Sequence, residues 1–414
     1  MNIINFDNSA TTFPKPVEVR RIVKWATENC GGNAGRGGHS LAMITSEWVY
    51  RTRQKIAEFF GGEAENVVFT VNCTHALNFA IHGLLKKGDH VIISCLEHNS
   101  VSRPVEAMAR KGLIRYDIAE VFAEPENTVQ SFRNLIRPDT KAIICTVASN
   151  VTGQILPYRE IGKLCREKGI CFIADGAQAC GIIPVKLSDG INILCTAGHK
   201  GLYGIMGTGL LITDGKYPLE PIIEGGTGTT SLELEQPDFL PELLESGTLN
   251  TVGILSLYAG TDFVERLTTE RIYNHEMKIC NRFIELILAI PHLIIYRNPY
   301  ADYVPIVAFN IEGMTSEEVA DYLNRKGFCL RAGYQCAGLA HKWLGTTDGG
   351  TLRLSPSVFS NDPLTEISGL NSYELIVCYR NLSAIAELGT HFGRKLGVNW
   401  RKLWRKHRQF WGNQ

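Results

Sequence analysis

Lys200 sits in AGHKGLYG, directly after an apolar run and among glycines that let a ligand approach its amine closely. A lysine amine forms Schiff bases with carbonyl cofactors, and its pKa falls readily on burial, so it also serves as a base. The same residue in a surface turn would do neither. Asp175 closes the run ICFIA in ADGAQA. A carboxylate at that point can keep a ring nitrogen protonated and make the ring an electron sink, or it can cap a following helix. Gln178, three residues on, is spaced to hydrogen-bond a phenolic oxygen. Thr74 opens an expected helix after NVVFT, where backbone amides and a hydroxyl form an anion site, and His199 offers a further donor. His98, in LEHNS, can stack a flat imidazole on a ring and relay protons, or remain an ordinary loop histidine.

A second cluster lies in RAGYQCAGLAH. The guanidinium forks of Arg331 and of Arg353, in TLRLSP, match the two oxygens of a substrate carboxylate. Cys336 stands in a loop of small residues, where a mobile, exposed thiol can become a thiolate nucleophile. Cys145, Cys171 and Cys195 instead lie within apolar runs and read as buried small hydrophobes. A lysine, a carboxylate and an anion site together suit pyridoxal 5'-phosphate.

The elements that must position these groups are legible as periodic runs. Strands are expected at 66–70, 90–94, 142–147, 170–174, 191–196 and 209–213, with helices at 45–60, 74–85 and 158–168 between them. Strands alternating with helices imply an α/β fold with a mostly parallel, two-sided covered sheet, and such sheets bind ligands at the carboxyl ends of their strands. The candidate residues cluster at those ends. Asp175 and Lys200 fall at the ends of two consecutive strands separated by Pro184 and a turn at 188–190. After Thr213 comes the glycine/threonine loop EGGTGTTS, then helices beyond about Asn250 and two strands near 306–311 and 351–354, which suggests a second domain.

Composition excludes other classes. The 414 residues are 44% apolar and carry 42 acidic against 42 basic side chains, so no global field points to nucleic acid. No apolar run reaches the roughly 18 residues of a membrane span, and the N-terminus lacks the marks of a secretory signal, so a cytoplasmic protein is expected. Twelve cysteines form no C-x-x-C pair; reduced thiols and no metal site are expected. A nicotinamide-binding domain is disfavoured, because no G-x-G-x-x-G follows a strand.

DNSATTFPKP (7–16), GRGGHSLA (35–42), CTHALN (73–78), EHNSV (97–101), SNVTGQ (149–154), ADGAQA (174–179), AGHKGLYG (197–204), ESGTLNT (245–251) and RAGYQCA (331–337) occur in colinear order. In this order they resemble the cysteine desulfurases of the class V aminotransferase group, fold-type I pyridoxal-phosphate enzymes, close to the selenocysteine lyase branch. The resemblance spans about residues 1–360. It implies a large cofactor domain (17–255), a small α+β domain from 1–16 and 256–360 that carries the cysteine loop, and a divergent segment (361–414). It implies that Lys200 holds the cofactor covalently and acts as base, Asp175 pairs with the ring nitrogen, Gln178 with the phenolic oxygen, and His98 stacks. Thr74, His199 and the backbone at Cys73 would bind phosphate, with Asn150 near the substrate and phenolic oxygen. Arg353 would take the substrate carboxylate, flanked by Arg331, and Cys336 would carry a persulfide. Thr227 and Gly228 would reach a neighbouring subunit's phosphate, which implies a homodimer. The implied reaction converts L-cysteine to L-alanine, with selenocysteine lysis or another class V activity as the alternative. The short segment after Arg331 looks like that of desulfurases that pass sulfur to an acceptor protein.

The sequence departs from the family after SPSVFS (355–360). Trp400, Leu403, Trp404, His407, Phe410 and Trp411 share one face at helical spacing, with seven Lys/Arg between Arg394 and Arg408. Such a basic amphipathic stretch suits a membrane surface or a partner, or packs on its own domain.

Overall fold

The computed structural model describes residues 3–361 apart from Arg36, Ala289 and Pro291; the basic aromatic tail falls outside the described residues. In chain order the strands are β1 (Ile4–Asn5), β2 (Val67–Thr70), β3 (His90–Ser94), β4 (Arg115–Ala119), β5 (Thr140–Thr146), β6 (Cys171–Asp175), β7 (Ile193–Ala197), β8 (Gly209–Thr213), β9 (Leu293–Ile295), β10 (Val307–Ile311), β11 (Phe328–Cys329) and β12 (Leu352–Leu354). The α-helices are α1 (Val17–Asn29), α2 (Ser40–Phe60), α3 (Cys73–Leu84), α4 (Asn99–Arg110), α5 (Pro125–Leu135), α6 (Tyr158–Lys168), α7 (Thr251–Leu267), α8 (Thr269–Ile287), α9 (Ser316–Arg325) and α10 (Gly338–Leu344).

Seven strands form one sheet in the order β2-β8-β7-β6-β5-β3-β4. The pairs from β7 through β6, β5 and β3 to β4 are parallel, and β8 runs antiparallel to both β7 and β2. The strands are apolar on both faces because both faces are covered. Ile143, Cys145, Phe172, Ala174 and Leu194 enter one buried cluster, while Ala142, Ile144, Cys171, Ile173 and Ile193 enter another. That division by alternate residues follows from the two-residue period of a strand.

Helix ends match their local signals. Pro157 precedes α6, and Gly61 and Gly169 close α2 and α6 in the left-handed conformation. Asn72 caps α3 with its side chain on the His75 amide, so that helix begins one residue earlier than expected at Thr74. The helix expected at 45–60 begins at Ser40, since His39 supplies the cap. β4 escapes periodic reading: RYDIA lies at the sheet edge, pairs with β3 alone and buries only Ala119 fully.

A smaller core joins the two ends of the described chain. Phe6, Phe283, Phe309, Phe328 and Leu354 pack together around the antiparallel sheet β12-β10-β9 and the parallel pair β1-β11. No helix among the described residues is long and apolar enough to cross a membrane.

Candidate active site

The large sheet brings several chain segments to one edge. Asp175 is the last residue of β6, Lys200 follows β7 by three residues, His98 follows β3 by four, and Asn150 follows β5 by four. Because β8 runs against both of its neighbours, β2 also ends on this side and delivers Cys73 and Thr74 at the start of α3.

Asp175 is only 4% exposed. Its Oδ1 accepts from the Ala177 amide at 2.9 Å and from the Cys73 thiol at 3.4 Å. Among the described residues Oδ2 receives no hydrogen bond, so one oxygen is fixed and the other is left for a ligand. No helix follows Asp175, which removes the capping alternative. Burial beside this carboxylate pushes the Cys73 thiol well up. Gln178, buried, donates to the Ser9 carbonyl at 3.2 Å.

Lys200 is half-buried and borders a cavity of about 30 Å³ shared with Ser9, Gln178 and Glu276. Burial lowers its pKa; Cys73 and Asp175 oppose this, while Arg353 and Arg331 add to it. Its loop is fixed from behind. Thr12 Oγ1 donates to the carbonyls of His199 and Lys200, and Lys15 Nζ donates to Thr12 Oγ1 and to the His199 carbonyl. A Cβ on Gly201 would lie 2.3 Å from the Cys180 carbonyl oxygen, so only glycine permits this approach next to the lysine.

His98 caps α4, and its Nδ1 accepts from the Ser100 amide at 3.0 Å. The ring proton is therefore on Nε2 of a neutral imidazole, and burial holds its pKa down to about 4. Ser100 Oγ lies 2.7 Å from His98 Nδ1 and 2.6 Å from Thr74 Oγ1, linking the stacking candidate to the anion-site candidate. The first amides of α3 have no intrahelical acceptor. His199 is held down to about 4 by burial, then by Lys200 and Lys15, and its Nδ1 is buried without a partner.

Arg353 is 2% exposed on β12. Its two terminal nitrogens donate to the Asn150 carbonyl at 2.8 Å and to Asp7 at 2.9 Å, while Nε has no partner. Asn150 Oδ1 is likewise buried and unpartnered. Buried polar atoms left bare cost about 1–3 kcal/mol each, so these atoms around Lys200 mark a site shaped for a polar ligand. Asp175 Oδ2, the amine, the helix start and these orphaned atoms together fit a pyridoxal phosphate.

Among the described cysteines Cys336 alone is exposed: Cys73, Cys95, Cys145, Cys165, Cys171, Cys180, Cys195 and Cys280 are buried, and Cys30 and Cys329 are half-buried. The backbone of the Cys336 loop is held at two points. Asn99 donates to the Cys336 carbonyl at 2.8 Å and Asn150 Nδ2 to the Gln335 carbonyl at 2.7 Å. Gln335 and Cys336 have φ of 40° and 56°. Left-handed non-glycine residues cost roughly 1–3 kcal/mol each, which hydrogen bonds worth about 1 kcal/mol apiece must offset. Arg331, exposed, pairs by backbone with Arg353.

The structure thus gathers Lys200, Asp175, Gln178, His98, Cys73, Thr74, His199, Asn150, Arg353, Arg331 and the Cys336 loop at one edge. Thr227 and Gly228 are not among them: they lie in the outer loop, where Thr227 Oγ1 bonds only within the loop, to Thr229. Residue-by-residue reading missed Asp7, Thr12, Lys15, Glu97 and Ser100. Asp7, Thr12 and Lys15 lay within DNSATTFPKP, so the motif was visible although the pairings were not. Among the described residues no group of histidine, cysteine and carboxylate side chains is arranged to hold a metal.

The model of the aminotransferase class-V family matches residues 4–363. A probable cysteine desulfurase of Methanothermobacter thermautotrophicus is 30% identical over 374 residues, covering 87% of this chain and 92% of that protein. The apo structure of a cysteine desulfurase from Thermococcus onnurineus superposes with a TM-score of 0.82 at 28% identity, over 91% of this chain and 94% of that one. A cysteine desulfurase from Escherichia coli gives a TM-score of 0.78 at 22% identity over 93% and 95% of the two chains, a likeness of fold.

Proposed function

The chain belongs to the class-V aminotransferase family, and from that premise we propose that it is a pyridoxal-phosphate-dependent cysteine desulfurase, converting L-cysteine to L-alanine and moving the sulfur to Cys336. The observation that carries the reading is an exposed thiol on a held loop, tied through Asn150 and Arg353 to the edge that bears Lys200 and Asp175. A transaminase needs no such thiol.

When bound, the cofactor supplies an electron sink for the charge released at the substrate Cα. Lys200 would hold it, with Asp175 Oδ2 at the ring nitrogen, Gln178 at the phenolic oxygen, His98 against the ring, and Thr74, His199 and the backbone of Cys73 at the phosphate. Lys200 takes and returns the Cα proton, a role suited to an amine whose pKa burial has lowered. The unpartnered Nε of Arg353 faces no competing acceptor and receives the substrate carboxylate, with Arg331 adding positive charge nearby. Asn150 orients the substrate. The Cys336 thiolate then attacks the substrate sulfur: a sulfur–sulfur bond forms, the carbon–sulfur bond breaks, and the carbon takes a proton as alanine forms.

Residues 17–255 form the cofactor domain in this reading, and 1–16 with 256–360 the domain carrying the cysteine. Loop residues Thr227 and Gly228 reach the phosphate of a second copy in a homodimer, which leaves them free of their own site. The exposed Leu232 and Leu234 beside them suit burial in that contact. A short, pinned cysteine loop suits handover to an acceptor protein that comes to the sulfur. A cytoplasmic setting belongs to this reading.

The test is mass spectrometry of protein mixed with L-cysteine, with and without borohydride. The expected result is a persulfide on Cys336, alanine in equal amount and a reduced cofactor adduct on Lys200. Alanine without sulfur on Cys336, or an unlabelled Lys200 peptide, would overturn the reading.

A further inference from the structure

We infer that His341 is a positioning residue for the sulfur-accepting cysteine, acting through Gln335; this rests on the proposed role of Cys336. His341 lies on α10, is 1% exposed, and touches neither the Lys200 edge nor Cys336 by any hydrogen bond. Its two ring nitrogens are nevertheless both engaged. Nδ1 lies 2.7 Å from Thr346 Oγ1, and Nε2 lies 3.1 Å from Gln335 Oε1.

An amide oxygen can only accept, so Nε2 must carry the proton and Nδ1 must accept from the Thr346 hydroxyl. Burial lowers the pKa of His341, in keeping with this neutral form. Gln335 is then held at both amide heavy atoms. Its Oε1 also accepts from Thr351 Oγ1 at 3.2 Å, and its Nε2 donates to the Thr351 carbonyl at 2.8 Å. Its own carbonyl accepts from Asn150 at 2.7 Å. These bonds anchor a buried side chain one residue before Cys336, where both residues hold left-handed backbone angles.

The consequence is directional. Gln335 is turned inward, 5% exposed and fixed, and the backbone angles that its anchoring holds leave the adjoining Cys336 exposed. The close backbone approach below the loop allows little adjustment: a Cβ on Gly350 would stand 2.2 Å from the Gly333 carbonyl oxygen. Removing the imidazole leaves Gln335 Oε1 with one donor in place of two and opens space beneath the loop. The thiol then loses its fixed direction while the strand-end residues keep theirs.

The test compares His341→Ala and His341→Gln in the cofactor-loaded protein. Glutamine places an N–H near the position of Nε2 and is the conservative rescue. Three readouts are taken: hydrogen exchange of a peptide covering 331–340, the single-turnover rate of persulfide formation on Cys336, and the cofactor absorbance band. The expected result for His341→Ala is faster exchange in that peptide and a persulfide rate lower by about 10-fold or more, with the cofactor band unchanged; His341→Gln recovers most of both. An unchanged persulfide rate in His341→Ala overturns the inference. So does loss of the cofactor band together with the rate, unrelieved by glutamine, because that is general misfolding. If wild-type protein forms no persulfide, the desulfurase reading fails, and the exchange readout alone decides whether His341 holds the loop.

Discussion

At the strand ends, Asp175 is 4% exposed with one oxygen unbonded among the described residues, whereas Cys336 is exposed on the loop between β11 and α10. The first region draws its rigidity from the sheet itself: neighbouring parallel strands fix where Asp175 and the Lys200 loop stop. The second draws it from scattered hydrogen bonds: the Asn99 amide on the Cys336 carbonyl, the Asn150 side chain on the Gln335 carbonyl, and Thr351 and His341 on the Gln335 side chain. A buried amine and carboxylate need a dry, fixed setting to move a Cα proton. A sulfur that must be collected afterwards has to stay within reach of another molecule. The contrast teaches that one site can combine a sheet-built half and a hydrogen-bond-built half, and that the two should fail separately.

The largest effects separate the halves outright. Lys200→Ala should lose the cofactor's covalent signature and lower alanine formation by at least about 10³-fold, read by absorbance and single-turnover assay. Cys336→Ala should keep the cofactor band while persulfide on the protein falls to background. If Cys336→Ala bleaches the cofactor, the halves are not independent.

A smaller effect probes the buried acids on the sheet side. Glu97 is fully buried, with Oε1 accepting from Ser94 Oγ at 2.5 Å and from the Thr146 amide at 2.8 Å, and burial pushes its pKa up to about 8. Glu276, which accepts from the Tyr203 hydroxyl at 3.3 Å, is also pushed up to about 8 by burial. Both carboxyls stay protonated in the fold at pH values where the unfolded chain releases the proton. Their contribution to stability is therefore full at acid pH and is lost as pH rises from about 4.5 through about 8. Glu97→Gln and Glu276→Gln should flatten the fall in Tm over that window, by roughly 1–3 °C each at its alkaline end. A slope identical to wild type would show that neither group holds its proton.

The smallest effect sharpens the comparison at one oxygen. Cys73→Ala removes the weaker donor to Asp175 Oδ1 and leaves the Ala177 amide in place. Since a thiol–oxygen hydrogen bond is second-order, kcat should change by less than about threefold. A loss comparable to that of Lys200→Ala would mean that Cys73 does more than steady the carboxylate.

The sequence by itself determined the sheet and most of its ligand-bearing edge. Apolar runs of five to seven residues ending in polar or glycine-rich punctuation specify buried parallel strands, and Asp175 and Lys200 stand at two such ends because strand and helix periods are local properties. The edge strand β4 lacked that signature, since one-sided burial weakens the apolar pattern. Only the tertiary structure decided which polar groups meet: Arg353 reaches Asp7 across 346 positions, and Asn150 reaches Gln335 across 185. It also decided that Glu97 and Glu276 keep their protons and that the cysteine loop is held. Those outcomes depend on burial and on partners distant in the chain, and no local spacing encodes either.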